Sequence, residues 1–351
     1  MRPGAPQVNT ASANYAISDD GTLVYAEGPA SGEIRRTLVW VDRTGQEQVV
    51  PAPPRAYMYP RVSPDGTRVA LDIRDQESDI WIWDLMRQTL TRLTFGTTQD
   101  TYPVWSPDSR RVFFASSRGG QVNNIYWQAA DGTGVPERLT ESRHPQFPHA
   151  ITRDGTEIVV REIPEGGDIV QGGASDLMRL VIGSEDHSPS GAVKTGTPLI
   201  KTPFNELNAE LSPDDRWLAY ESDESGRYEV YVRPFPNVDS GRWQVSTGGG
   251  RMPVWARSGN ELFFASPEGS IQGVRLEHAS SWRSSTPAKV LQSSPAYYLL
   301  PAGAVGRTFD VAADGKHFLM IKNASAEAQV SQRLVVVQNW TEELKRRVPI
   351  N

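Results

Sequence analysis

Seven short segments of this chain share one design: an apolar residue, a small polar one, a third that varies, then an Asp-Gly-like pair leading into an alternating apolar strand. They are Ile17-Ser18-Asp19-Asp20-Gly21, Val62-Ser63-Pro64-Asp65-Gly66, Trp105-Ser106-Pro107-Asp108-Ser109, Ile151-Thr152-Arg153-Asp154-Gly155, Leu211-Ser212-Pro213-Asp214-Asp215, Trp255-Ala256-Arg257-Ser258-Gly259 and Val311-Ala312-Ala313-Asp314-Gly315. Counted from the fourth residue of each, the intervals are 45, 43, 46, 60, 44 and 56. A unit of ~40 to 50 residues made of short strands is the pattern of propeller blades.

The chemistry of the segment is that of a tight turn. Proline presets the first corner, Asp bonds back to nearby backbone amides, and Gly accepts a positive φ. The runs that follow, such as Val69-Ala70-Leu71, Val112-Phe113-Phe114-Ala115 and Trp217-Leu218-Ala219-Tyr220, are rich in β-branched and aromatic residues. A third strand comes next, as in Asp79-Ile80-Trp81-Ile82-Trp83-Asp84 and Tyr228-Glu229-Val230-Tyr231-Val232. A short fourth closes most units, as in Thr91-Arg92-Leu93-Thr94 and Trp243-Gln244-Val245-Ser246.

The expected fold is all-β: a seven-bladed β-propeller of four-stranded antiparallel blades, six blades being the rival count. The expected domain is one propeller over residues 1–351, with blades at 11–52, 53–95, 96–141, 142–202, 203–247, 248–293 and 294–340. The seventh unit has three strands, near Thr308 to Val311, Phe318 to Ile321 and Arg333 to Val337. Residues 6–10 are expected to supply its fourth, because an open ring leaves an unpaired edge. A short helix is expected at 341–347, where a Thr N-cap precedes acids and then bases. Glu165 to Ser175 and Gly183 to Thr197 look like mobile surface insertions. Six or more of the ten tryptophans are expected to be buried between blades, among them Trp81, Trp83, Trp105, Trp127, Trp217 and Trp255.

Composition narrows the function. With 36 basic and 42 acidic residues the 351-residue chain carries a net charge of −6, which gives no electrostatic reason to seek nucleic acid or an anionic membrane. It has no cysteine, hence no disulfide, thiolate metal site or cysteine nucleophile. No apolar run approaches the ~20 residues of a membrane span. No signal-peptide-like stretch opens the chain.

The seven turns resemble the WD-like propeller repeats of the TolB family, where the turn joins the innermost and second strands of a blade. Leu38-Val39-Trp40-Val41-Asp42-Arg43-Thr44-Gly45, Tyr59 to Gly66, Glu229-Val230-Tyr231-Val232-Arg233-Pro234-Phe235-Pro236 and Asn339-Trp340-Thr341-Glu342-Glu343-Leu344 look like the extracytoplasmic propeller at the C-terminus of certain bacterial transmembrane serine/threonine kinases. That resemblance implies a sensing or binding role outside the cytoplasm, in the periplasm or beyond. The chain itself carries no kinase motif.

Catalysis finds little support in the residues. No Gly-x-Ser-x-Gly elbow is present, so the hydrolase reading that propeller-bearing peptidases suggest has no nucleophile. The enzyme alternative is a metal-dependent propeller of the oligogalacturonate-lyase kind. His144 and His149 are the only close pair, and they read more simply as part of a polar loop, since such a site needs three or four converging ligands. Asp72, Asp75, Glu77 and Asp79 lack calcium-loop spacing and read as a solvated loop. Gly248-Gly249-Gly250 reads as a tight link between blades. No cofactor is expected.

The expected role is therefore non-catalytic binding of a protein, peptide or glycan at the central opening. In a propeller the links from each outer strand to the next inner strand lie on the face opposite the Ser-Pro-Asp-Gly turns. The expected ligand-binding residues are Arg55, Tyr57, Tyr59, Asp100, Tyr102, Arg143, His144, Asn205, Glu206, Arg251, Tyr297 and Arg307, because Arg and Tyr make large contacts at modest entropic cost.

Overall fold

The structure is a computed structural model. It describes the chain except residues 1–14, 19–21, 28–34, 76, 166–174, 183–195, 278–281, 301–302, 324–332, 338–339 and 341–351. The chain divides into two compact units, Met1–Glu33 with Ser325–Asn351, and Ile34–Ala324.

The larger unit holds six four-stranded antiparallel sheets. Blade 1 runs Tyr57–Val62, Arg68–Arg74, Ser78–Asp84, Thr89–Arg92 from inside outwards, and blade 2 Asp100–Trp105, Arg111–Ser116, Asn124–Ala129, Glu137–Arg138. Blade 3 is Gln146–Ile151, Glu157–Glu162, Asp176–Val181, Thr197–Ile200, and blade 4 Glu206–Leu211, Trp217–Ser222, Glu229–Pro234, Trp243–Gln244. Blade 5 is Arg251–Trp255, Glu261–Ala265, Ile271–Arg275, Ala288–Leu291. Blade 6 takes its two inner strands, Phe309–Val311 and His317–Asn323, from the end of the unit and its outer two, Arg36–Asp42 and Glu47–Val49, from the beginning. Each first strand touches the first strand of the next blade, and blade 6 touches blade 1, so the ring is closed.

The seven-blade expectation is thus corrected to six. The first copy of the motif does make a hairpin, Tyr15–Ile17 with Leu23–Glu27, but this pairs with Arg333–Val337 in a separate three-stranded sheet of the smaller unit. The expected blade 11–52 is split between two sheets, and the expected third strand of a seventh blade belongs to neither end of the ring. Ring closure comes from Arg36–Asp42, paired over seven residues with His317–Asn323, and not from residues 6–10, which lie outside the described residues. A turn motif records a hairpin; which strand the hairpin then joins is decided by contacts far away in sequence. The expected helix at 341–347 also lies outside the described residues. Among those residues the only named helical element is the 3₁₀ turn Val238–Ser240.

Why these strands form this ring is visible in the core, which is six wedges, one between each pair of neighbouring blades. Strand alternation sends successive side chains to opposite wedges. Val69 and Leu71 pack with Leu38, Leu319 and Ile321 between blades 6 and 1, while Ala70 packs with Val112 and Phe114 between blades 1 and 2. Phe263 goes with Phe318 between blades 5 and 6, and its neighbour Phe264 with Val230 between blades 4 and 5. Each fully buried Val, Leu, Ile or Phe among them contributes roughly 1.5–3 kcal/mol.

The turns behave as their chemistry requires. Ser63 Oγ donates to Asp65 Oδ1 at 2.6 Å, the same oxygen accepts Thr67 N at 2.9 Å, and Gly66 N closes the turn on Ser63 O at 2.8 Å. The residue after the acidic position has φ between 56° and 73° in all six blades: Gly66, Ser109, Gly155, Asp215, Gly259 and Gly315. Neighbouring turns are tied together as well, since Trp105 Nε1 donates to Arg61 O at 2.8 Å and Trp255 Nε1 to Glu210 O at 3.1 Å.

Two smaller expectations are corrected. Five tryptophans are buried, namely Trp83, Trp105, Trp217, Trp255 and Trp282, not six. Trp81 and Trp127 are half-buried and instead carry Arg55 and Arg111 over their faces, at 4.7 and 4.6 Å from the ring centroids. Asp72 and Asp79 are buried rather than solvated, because Arg74 grips Asp72 with two bonds of 3.0 Å and Arg92 pairs with Asp79. The insertions at 166–174 and 183–195 lie outside the described residues. Gly248-Gly249-Gly250 does link blades 4 and 5, where a Cβ on Gly250 would stand 2.5 Å from Ser246 Oγ.

Candidate functional site

The inner strands are not regular. Five of the six carry a register shift, a β-bulge that re-aims side chains. Tyr59, Tyr102, Asn208 and Met252, each six residues before the acidic position of its turn, have φ of 38°, 58°, 49° and 54°. Non-glycine residues there cost about 1–3 kcal/mol each. In blade 3 the extra residue is His149, which the register skips between Pro148 and Ala150. The polar-loop expectation for His149 is therefore corrected: it stands in an inner strand, buried.

These strands surround an axial cavity of about 440 Å³ lined by residues of all six blades. The cavity opens among the Ser-Pro-Asp-Gly turns, with Pro64, Pro107, Arg153, Pro213 and Arg257 around its mouth. Two turns have arginine where the motif has proline, and both side chains, Arg153 and Arg257, are exposed. Deeper, the residue four before the acidic turn position is apolar in blades 2, 3 and 5 (Val104, Ala150 and Val254) and charged in blades 1, 4 and 6 (Arg61, Glu210 and Asp310).

The charges form a connected set. Arg307 Nη1 pairs with Glu210 Oε2 at 2.9 Å and Nη2 with Asp310 Oδ1 at 3.1 Å. Asp310 Oδ2 also accepts Val62 N at 2.7 Å. Arg61 Nη1 donates to Pro60 O at 2.9 Å and Arg307 O at 3.0 Å, and burial, with Arg307 beside it, brings its pKa down to about 9. His149 lines the same cavity, and burial together with Arg161, Arg61 and Arg307 pushes its pKa down to about 3, so it is neutral at physiological pH.

The opposite end of the channel is covered by the link from blade 5 to blade 6. Arg251 donates to Leu300 O, and Leu300 packs on Met58 and Tyr59. Gly306 N donates to Asn208 Oδ1 at 2.8 Å, and a Cβ on Gly306 would collide with the Tyr59 ring at 2.1 Å. Gly303 lies against Tyr228. One segment thus reaches blades 1, 4 and 5, which only a path across the axis allows.

This cover places the expected ligand-binding residues. Tyr57, Tyr59, Asp100, Asn205, Glu206, Arg251, Tyr297 and Arg307 are buried. Tyr57 donates to Pro53 O, Asp100 pairs with Arg118, and Asn205 Nδ2 donates to Asp223 at 2.9 Å. Glu206 accepts from Thr202 at 2.6 Å, and Tyr297 donates to Glu47 at 2.8 Å. Tyr59 stacks on Tyr102 at 4.5 Å, and Tyr102 meets the edge of Phe147 at 5.1 Å. Arg55 pairs with Asp75, Arg143 is exposed, and His144 is half-buried, its N–H bonded to Ser142 Oγ at 3.0 Å. Of the twelve, Arg307 alone lines the axial cavity.

Sequence reasoning weighs His149 as a metal ligand and reads it as a loop residue, and the cavity residues it passes over are Arg61, Arg153, Glu210, Arg257 and Asp310. Their signal was in the repeats themselves, as departures from them: an arginine replacing the turn proline, or a charge where sister blades carry a small apolar residue. Among the described residues no three or more of His, Asp and Glu come together as a metal site requires.

Residues 33–197 match the model of the TolB beta propeller domain. Over 89 residues the chain is 43% identical to an uncharacterized protein of Agrobacterium fabrum, covering 25% of this chain and 30% of that one. Over 207 residues it is 27% identical to an uncharacterized peptidase, YuxL, of Bacillus subtilis, covering 49% of this chain and 31% of that one. The chain spans about a third of the length of the curated relatives it matches. A TolB-designated structure from Agrobacterium tumefaciens superimposes with a TM-score of 0.60 at 18% identity, covering 83% of this chain and 99% of the other. The fold is a TolB-like β-propeller.

Proposed function

We propose that this TolB-like propeller is a non-catalytic binding module whose ligand enters the axial cavity from the face of the Ser-Pro-Asp-Gly turns. The observation that carries the reading is the cavity itself: residues of six separate blades converge on one chamber, and its mouth is armed with two exposed arginines that the repeat pattern does not call for. Rigid strands behind adaptable side chains are the usual architecture of a binding site. The resemblance to kinase-attached propellers supports a finer assignment, the extracytoplasmic sensor region of a bacterial receptor-type serine/threonine kinase. No helix among the described residues is long and apolar enough to cross a membrane.

Val104 faces the cavity and belongs to none of the wedge clusters, so Val104→Trp fills the chamber with little change to the blades. Ligand capture from an envelope extract should be lost in Val104→Trp while the melting temperature holds. Undiminished capture by that variant, or turnover of a peptide or polysaccharide by the purified chain, overturns the reading. For the finer assignment, the reading frame upstream of Met1 should encode a kinase domain and an apolar span.

A further inference from the structure

Two of the six turns forgo the proline that presets their first corner: Arg153 in blade 3 and Arg257 in blade 5 stand where blades 1, 2 and 4 carry Pro64, Pro107 and Pro213. Both side chains are exposed, and both belong to two walls at once. On one side they rim the axial cavity. On the other they line a groove of about 250 Å³ between the turns of blades 4 and 5. The floor of the groove is apolar, with Pro213, Trp217, Leu276 and Trp282, and the two indoles pack edge to face at 5.4 Å. Through Ser258 and Leu276 the groove runs on into a wider cleft of about 910 Å³ between blades 5 and 6. The three spaces form one path leading off the axis, a shape for an extended ligand rather than a compact one.

The charges lining the groove do not balance. Arg153, Arg216, Arg257 and Arg283 face Asp214 and Glu277, and among the described residues only Arg216 is ion-paired, to Asp214 at 2.7 Å. Arg257 is anchored by Nη2 to Val62 O at 2.8 Å. Arg153 N donates to Asp215 Oδ2 at 2.8 Å and Arg283 O accepts Glu277 N at 3.0 Å, but neither guanidinium has a hydrogen-bond or ion-pair partner among the described residues. The neighbouring spaces do not offset this excess of two. In the axial chamber Arg61 and Arg307 cancel against Glu210 and Asp310, and Asp215 takes the excess from two to one. In the cleft Arg43, Arg275 and Lys316 balance Asp42, Glu261 and Asp314, with histidines counted neutral. A chain of net charge −6 thus gathers an uncompensated positive charge along one path.

We propose that the groove between the turns of blades 4 and 5 binds an extended acidic peptide segment, with acidic side chains against Arg153, Arg257 and Arg283 and apolar ones over the tryptophan-lined floor. The planar fork of a guanidinium matches the two oxygens of a carboxylate. Asp214 and Glu277 decide between polymers. They repel a chain that is anionic at every unit, as a sulfated polysaccharide is, whereas a peptide can turn a neutral residue toward them. The site is separate from the axial chamber, because Trp217, Trp282 and Arg283 line the groove and not the chamber.

The test is fluorescence anisotropy of a short labelled peptide of alternating Glu and Leu, titrated with the intact chain. The peptide should bind saturably and be released by added salt, and its counterpart with Gln in place of Glu should not bind. Arg153→Gln and Arg283→Gln should each weaken it by about two- to fivefold, as loss of an exposed ion pair does, while melting like the parent because both side chains are exposed. Glu277→Gln removes a repulsion and should tighten binding by about twofold. Arg87→Gln makes the same change of net charge at an exposed site on blade 1 and should alter nothing. Val104→Trp fills the chamber and not the groove, so the peptide should still bind. Loss of the peptide in Val104→Trp but not in Arg283→Gln moves the site into the chamber and overturns the groove. Equal binding by the Gln peptide, or an affinity that falls as much in Arg87→Gln as in Arg283→Gln, overturns it too. Dextran sulfate that outcompetes the peptide at equal charge, and is itself weakened by Arg283→Gln, assigns the groove to an anionic polysaccharide and overturns the peptide. Any of these failures leaves the chamber reading standing as long as Val104→Trp abolishes capture from the envelope extract.

Discussion

Single residues in this protein divide into those that hold blades together and those held in place at a cost. Glu206 belongs to the second kind. Burial, aided by Asp176, Asp223 and Glu224 and opposed by Thr202, raises its pKa to about 7. Unfolded, it ionises near 4.3, so the folded state loses stability as pH climbs from about 4 to about 7 and regains none above. Glu206→Gln keeps an acceptor for Thr202 and removes the charge. It should be more stable than the parent by about 2–3 kcal/mol at pH 8, with the difference vanishing near pH 4; urea melts at both pH values measure this. At this scale the sequence was a poor guide. Asp72, Asp79, Glu206 and Tyr59 all have the composition of exposed loop residues, yet the ring closes over them, and burial of a polar side chain depends on partners outside its own segment, such as Arg92 for Asp79 and Gly306 for Tyr59.

Elements were far more legible. The Ser-Pro-Asp-Gly segments gave every inner hairpin, because a turn is made by neighbours and needs no distant help. Asp154 shows how much the turn relies on its carboxylate: hydrogen bonds from Thr152 and Thr156 hold its pKa below the ordinary value, against slight burial. Such a group stabilises above its unfolded pKa near 3.9, and the contribution is lost as pH falls through the lower folded value. Five of the six turns carry a depressed aspartate: Asp65, Asp108, Asp154, Asp214 and Asp314. Replacing two of them by Asn should lower the neutral plateau and so flatten the acid limb of the stability profile between about pH 4 and pH 2, with the parent and variant converging at the acid end. A second test concerns the ties between turns. Trp105→Phe keeps the wedge filled but removes the bond to Arg61 O, and it should cost about 1 kcal/mol in a denaturant melt.

For the whole molecule, the decisive fact is how the last blade is assembled. Blade count was misread because the motif marks hairpins, and one of the seven hairpins belongs to the smaller unit. The order of strands within each blade was legible; the partner of Arg36–Asp42 was not, since nothing local distinguishes joining the next strand from joining one at the far end. The six-blade ring predicts that residues 34–324 alone unfold in one cooperative transition like that of the full chain. Removing residues 34–50 as well should strip two strands from blade 6, expose the edge of His317–Asn323, and abolish cooperative melting. A ring of seven blades would not tolerate the first truncation.

That closure also dictates an order of events during synthesis. Arg36–Asp42 leaves the ribosome before any complete blade, yet its partner His317–Asn323 is among the last strands to emerge. Blades 1 to 5 can each zip up as they appear, whereas the earliest strands must wait, unmated and sticky, for nearly the entire chain. A chain interrupted before residue 323 is therefore left as an unlatched arc whose unpaired strands invite clumping.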